Sequence, residues 1–192
     1  QMIFDDYRSI VANSDIEHFP DVVQGSTRPL TEFTFFLNYA MHGADVVPYH
    51  VVNVLIHTFA ALLLFGVLRR TLLLPRFAGR YTRSASWLAG SIAAMWAVHP
   101  VQTESVTYIV QRAESMMGMF ALLGLYSCLR GVTRGVRGWW MGVAVLSMVL
   151  GMLSKPVMVV MPMLVLLFDA MFLSDGFGPA LRRRWRFYLL LA

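Results

Sequence analysis

Cysteine is nearly absent from this chain. Cys128 stands alone in an apolar run, which excludes an internal disulfide and any cysteine-rich metal site. Charge is scarce too, at 14% of residues against 57% hydrophobic, with a mean hydropathy of +0.59. That balance lies outside the range of soluble domains and describes an integral membrane protein. No signal-peptide pattern is visible, and any metal chemistry falls to histidine and carboxylates. The chain starts on Gln1 and stops inside a new apolar run, "FYLLLA", so it is expected to be a piece of a larger protein.

A bilayer core takes about 20 apolar residues in a helix, fewer where the membrane thins. Runs at 49–68, 84–98, 115–129, 139–153 and 156–173 qualify, and a sixth opens at Phe187. Pro48, Pro100 and Pro156 stand where helices begin, the position at which proline's missing N–H costs least. The expected fold is all-α: a multi-span helical bundle over 49–192, preceded at 1–48 by a first outer loop with a juxtamembrane helix.

Arginine sets the orientation. Arg69, Arg70, Arg76, Arg80 and Arg83 follow the first run, Arg130, Arg134 and Arg137 the third, and Arg182, Arg183, Arg184 and Arg186 the fifth. These loops hold twelve of the sixteen basic residues and read as cytoplasmic. The opposite side receives nine of the eleven acids: Asp5, Asp6, Asp15, Glu17, Asp21, Glu32, Asp45, Glu104 and Glu114. An isoelectric point near 9.8 invites a nucleic-acid partner, but topology already accounts for the arginines. A functional site is expected on the outer face, because charge at a membrane boundary is costly to desolvate. A transporter fits less well, since its site would sit at the midplane.

Four outer stretches carry the candidate chemistry. "FDDYRSIVANSDI" offers Asp5 and Asp6, which can act as a general base toward a hydroxyl or simply form a solvated acidic loop. "STRPLTEFTFFLNYAMHG" has Leu30, Phe33, Leu37 and Met41 along one side, an amphipathic helix lying in the interface, with Arg28 at its start to meet a lipid phosphate or snorkel among headgroups. "YHVVNVLIH" puts His50, Asn53 and His57 on one stripe, a weak metal pattern better suited to helix-to-helix hydrogen bonding. In "HPVQTESVTYIVQRAES", after His99, a helix from Pro100 would align Glu104, Tyr108 and Arg112 as a polar seam or an oxyanion holder. Arg28, Arg112 and Lys155 are then three cations on a carboxylate-rich face, suited to a phosphate near the membrane surface.

These stretches, together with "LSKPVMVVMPMLVLLFD" from Leu153 to Asp169, resemble the membrane half of the transmembrane and tetratricopeptide-repeat-containing O-mannosyltransferase (TMTC) family, and particularly its bacterial relatives. The resemblance runs from Phe4 to about Leu173. It implies the multi-helix GT-C glycosyltransferase fold, with a mannose-like sugar moved from a polyprenyl-phosphate carrier to a protein or other hydroxyl on the outer face. It also implies that Asp5 and Asp6 carry the catalytic acid and that tetratricopeptide repeats follow the membrane part. This chain departs in lacking the preceding span and the repeats, and in having "SKP" where eukaryotic members tend to have Lys-Glu. The "SKPVMVVMP" form points to a bacterial inner membrane with a periplasmic active face.

The expected mechanism is an inverting transfer without a nucleotide donor. Asp5 or Asp6 is the base, and Arg28, Arg112 and Lys155 bind the carrier phosphate. Glu104 positions Arg112 or closes the helix packing, with His99, His50, Asn53 and Tyr108 supporting. A divalent metal fits beside two acids without being required, since the cations supply positive charge. The rival expectation is a non-catalytic membrane anchor for periplasmic repeats.

Overall fold

The structure is a computed structural model that describes residues 26–133 and 137–191. Among these, every regular element is helical. Helix α1 (Pro29–His42) opens on proline and ends at Gly43, whose φ of 59° suits glycine and whose N–H reaches the Tyr39 carbonyl at 2.7 Å. Asp45 then caps α2 (Val46–Leu72), its Oδ1 accepting from the Val47 N–H at 3.2 Å. With 27 residues α2 rises about 40 Å, more than the roughly 30 Å of a bilayer core.

The run expected at 84–98 forms α3 (Ala85–Ala97), whose 13 residues rise only about 20 Å and fall short of that thickness. Among the described residues, three segments are long and apolar enough to cross a membrane: Val46–Leu72, Ile109–Thr133 and Pro156–Leu173. Gly138–Ser154 is apolar but shorter. The chain is thus an all-α membrane protein.

The continuous helix expected from Pro100 does not form. A 3-10 turn (Pro100–Gln102) leads into the short α4 (Thr103–Thr107), Tyr108 is extended at φ −97° and ψ 112°, and a second 3-10 turn (Ile109–Gln111) precedes α5 (Arg112–Thr133). Val106, Thr107, Ile109 and Val110, all β-branched, surround the break and favour extended backbone. Thr103 and Thr107 donate their hydroxyls to the carbonyls of Pro100 and Thr103, at 2.6 and 2.8 Å. The Glu104–Tyr108–Arg112 seam therefore has no single helix to carry it.

After α6 (Arg137–Ser154), Lys155 is extended and Pro156 starts a 3-10 turn (Pro156–Val160) that runs into α7 (Met161–Phe168) and a π turn (Asp169–Leu173). Helix α8 (Phe177–Leu191) kinks at Arg184. The main core joins Met116, Phe120 and Cys128 of α5, Ala144 and Met148 of α6, Met158, Met161 and Val165 of the next segment, and Phe187 of α8. Helices α5 and α6 approach closely at Gly124, where an added Cβ would lie 3.0 Å from Ser147 Oγ. Val51, Leu55, Phe59 and Leu62 of α2 stay exposed, as a lipid-facing side requires.

Helix α1 packs across α2, α5 and α6. Its buried residues are Thr31, Phe35 and Asn38, while Leu37 and Met41 of the expected apolar stripe are exposed. The helix docks through its more polar face because that face holds a buried cation.

Candidate functional site

That cation is Arg112, fully buried at the start of α5. Its Nε donates to Asn53 Oδ1 at 2.8 Å and its Nη2 to the Tyr49 carbonyl at 3.0 Å. Its Nη1 donates to Asn38 Oδ1 at 3.3 Å and to the Thr34 carbonyl and hydroxyl at 3.3 and 3.2 Å. The guanidinium also lies over the rings of Phe35 and Tyr49, 4.6 and 5.6 Å from their centroids. Burying a lone charge costs several kcal/mol, and these contacts offset it without a carboxylate among the described residues. Arg112 thereby ties α1, α2 and α5 together. Its donors are turned inward, so the structure does not present it to a carrier phosphate, and Glu104 does not position it: the Glu104 side chain is exposed and without a polar partner among the described residues.

The polar stripe of α2 serves the broken segment beside it. Asn53 Nδ2 donates to the Tyr108 carbonyl at 3.4 Å, His50 Nδ1 lies 3.4 Å from the Val106 carbonyl and His57 Nε2 lies 3.0 Å from that of Ala97. A carbonyl only accepts, so both histidines donate through these nitrogens. His99 is exposed, and its Nδ1 accepts from the Val101 N–H at 3.2 Å, capping the first 3-10 turn.

Lys155, the chain's only lysine, forms an ion pair with Glu114 in the first turn of α5. Neither is deeply buried, at 21% and 40% side-chain exposure, so the pair is reachable by a ligand. Thr31 Oγ1 donates to the Ser154 carbonyl at 3.1 Å, which fixes the first turn of α1 beside Lys155. Arg28 stands one turn before Thr31, exposed, its side chain without a polar partner among the described residues. Glu114 also lines a cavity of about 240 Å³ with His57, Trp96, Gln102, Ser105 and Ser115. Asp5 and Asp6 lie outside the described residues. Among those described, no three His, Cys, Asp or Glu side chains form a metal-ligand group.

Comparison with known proteins finds relatives of one family. Protein O-mannosyl-transferase F38B6.6 of Caenorhabditis elegans is 34% identical over 140 residues, 64% of this chain and 19% of the relative. Protein O-mannosyl-transferase TMTC4 of Homo sapiens is 36% identical over 152 residues, 63% of this chain and 19% of the relative. Protein O-mannosyl-transferase Tmtc3 of Drosophila melanogaster is 31% identical over 159 residues, 68% and 17%. The chain belongs to the TMTC family. It spans less than a fifth of the length of these relatives. No protein-family model and no solved structure matches it.

Sequence reasoning about this TMTC chain passed over Glu114, although an acid inside an apolar helix opposite a lone lysine was a usable signal. It also passed over Thr34, Asn38 and Tyr49, for which no spacing rule links one helix to the cation of another. At the opposite end, it missed Asp169. This buried acid pairs with Arg184 and accepts from Ser174 Oγ at 2.8 Å and Tyr188 Oη at 2.6 Å. The signal was again a carboxylate in an apolar run, "LLFDA".

Proposed function

We propose that this TMTC chain is membrane-embedded machinery of a glycosyltransferase that moves a mannose-like sugar from a polyprenyl-phosphate carrier to a protein hydroxyl at the outer, periplasmic side of a bacterial inner membrane. The relatives' names support the reaction class. The observation that carries the reading is the cluster in which Lys155, Glu114 and the first turn of α1 meet beside a cavity of about 240 Å³.

In this scheme Asp5 or Asp6 takes the proton of a Ser or Thr hydroxyl as that oxygen bonds to the anomeric carbon. The bond from this carbon to the carrier's phosphate oxygen breaks, the configuration inverts, and polyprenyl phosphate leaves with its negative charge against Lys155 and Arg28. Those cations supply the positive charge that a divalent metal would otherwise bring. Glu114 neutralises Lys155 while no donor is bound. Arg112 acts from behind, holding α1 so that Arg28 stays near Lys155, with His50, Asn53 and Tyr108 fixing the same end.

The test uses the full-length parent protein in membranes with radiolabelled polyprenyl-phosphate sugars. Wild type transfers label to protein, and Asp5→Asn with Asp6→Asn lowers the rate about 100-fold or more at unchanged expression. Unaffected transfer in that variant places the base elsewhere. No transfer by wild type from any donor replaces this reading with the membrane anchor.

A further inference from the structure

The other end of the bundle, where α2, α5 and the 156–173 segment finish, holds a cavity of about 640 Å³. Arg69, Arg70 and Arg76 line it, with Leu73, Leu74, Val132, Phe172 and Asp175 among the other walls. A shallower groove of about 330 Å³ shares Arg69 and Arg70 and continues along α2 past Phe59, Leu62, Leu63 and Phe65. Phe59 and Leu62 are more than half exposed, so the groove opens sideways toward lipid. A cationic chamber and an apolar channel thus meet at two arginines.

Among the described residues, the charge at this junction is not balanced by carboxylates. Arg70 Nη2 and Arg130 Nη1 both donate to Tyr126 Oη, at 3.4 and 3.0 Å, which holds two guanidiniums on one neutral phenol. Arg69 Nε donates to Ser86 Oγ, another neutral acceptor, at 2.9 Å. Among the described residues Asp175 pairs with Arg76 alone, at 3.8 Å in a solvent-exposed contact, and Asp169 is occupied by Arg184. Arginine near a helix C-terminus answers the helix dipole, but the ends of α2, α5 and the 156–173 segment together amount to only about 1.5 negative charges. Arg69, Arg70, Arg76 and Arg130, less Asp175, leave about 1.5 positive charges uncompensated after that term.

We propose that this end binds one anionic phospholipid, its phosphate against Arg69 and Arg70 in the cavity and an acyl chain along Phe59, Leu62, Leu63 and Phe65. Arginine's planar donor fork suits a phosphate, and a basic pocket between membrane helices suits an anionic headgroup. The groove joining the cavity selects a lipid over a free phosphate ion, which would have no use for it.

Parent protein purified in neutral detergent is titrated with phosphatidylglycerol, phosphatidylcholine and inorganic phosphate, and bound adducts are counted by native mass spectrometry. One phosphatidylglycerol is retained about tenfold more tightly than phosphatidylcholine. Arg69→Gln with Arg70→Gln abolishes that preference, whereas Arg182→Gln with Arg183→Gln, exposed arginines outside both cavities, leaves it within about twofold. Equal retention of the two lipids by wild type overturns the proposal. So does an equal loss in both double variants, or phosphate binding at these arginines without a lipid preference. Should the first double variant fail to fold, Asp175→Asn decides: freeing Arg76 raises the preference, and an unchanged or lower one rejects the site.

Discussion

Arg112 Nε donates to Asn53 Oδ1 at 2.8 Å across 59 positions of sequence, and Asn53 passes its own Nδ2 on to the Tyr108 carbonyl. One amide therefore joins a buried cation to the break in the chain before α5. The geometry assigns the amide's orientation, since its oxygen faces a donor and its nitrogen an acceptor.

Replacing Arg112 strands these acceptors in a dry interior. Arg112→Met is expected to destabilise the parent protein by about 3 kcal/mol or more, and Arg112→Lys rescues little because an ammonium cannot reproduce the fork. Thermal unfolding in detergent measures this. A folded variant with only a raised KM for the sugar donor would instead return Arg112 to the phosphate site.

Lys155 and Glu114 respond differently, because their pair is partly exposed. Either single substitution shifts stability by less than about 1 kcal/mol. Lys155→Met lowers sugar transfer sharply, while Glu114→Gln, which removes the competitor for the ammonium, lowers KM for the polyprenyl-phosphate donor. Steady-state kinetics on the parent protein decide the matter, and a raised KM in Glu114→Gln would contradict a phosphate role for Lys155.

Asp169 is 2% exposed and holds Arg184, Ser174 and Tyr188. Asp169→Asn leaves the guanidinium unbalanced and is expected to cost about 3–5 kcal/mol, loosening the kinked α8 from the bundle. Faster proteolysis within α8, with the Lys155–Glu114 end unaffected, is the readout. Equal protection of wild type and variant would show that the pair does not anchor this helix.

Gly66 faces the Tyr126 ring so closely that an added Cβ would lie 2.7 Å from it. Tyr126 cannot easily retreat, being held by Arg70 and Arg130 and set edge-on to Trp140 at 6.2 Å. Gly66→Ala is expected to destabilise by about 1–3 kcal/mol through overpacking. A melting temperature equal to wild type would mean that the ring moves freely.

Much of the architecture is written locally. Apolar runs mark the helices because a membrane interior tolerates little else, and Pro100 and Pro156 mark the starts of turns because proline supplies no N–H to the preceding backbone. One end was legible as polar and the other as basic, since loop composition is a one-dimensional property. Arg112 was legible as a charge but not as a buried one. Its surroundings come from Thr34, Asn38, Tyr49 and Asn53, on two other helices, and burial depends on how helices pack.

What the sequence by itself determined is the all-helical membrane character, the separation of acidic from basic ends and the likeness to the TMTC family. Each follows from composition and order along the chain. Only the tertiary structure decided which cations are buried and which stay exposed. Arg112 turned inward because the polar face of α1 meets the broken segment before α5 there, whereas Lys155 stayed reachable at the start of its turn. Likewise, only packing brought Arg70 and Arg130 onto the same Tyr126 hydroxyl, a convergence that no spacing between positions 70 and 130 prescribes.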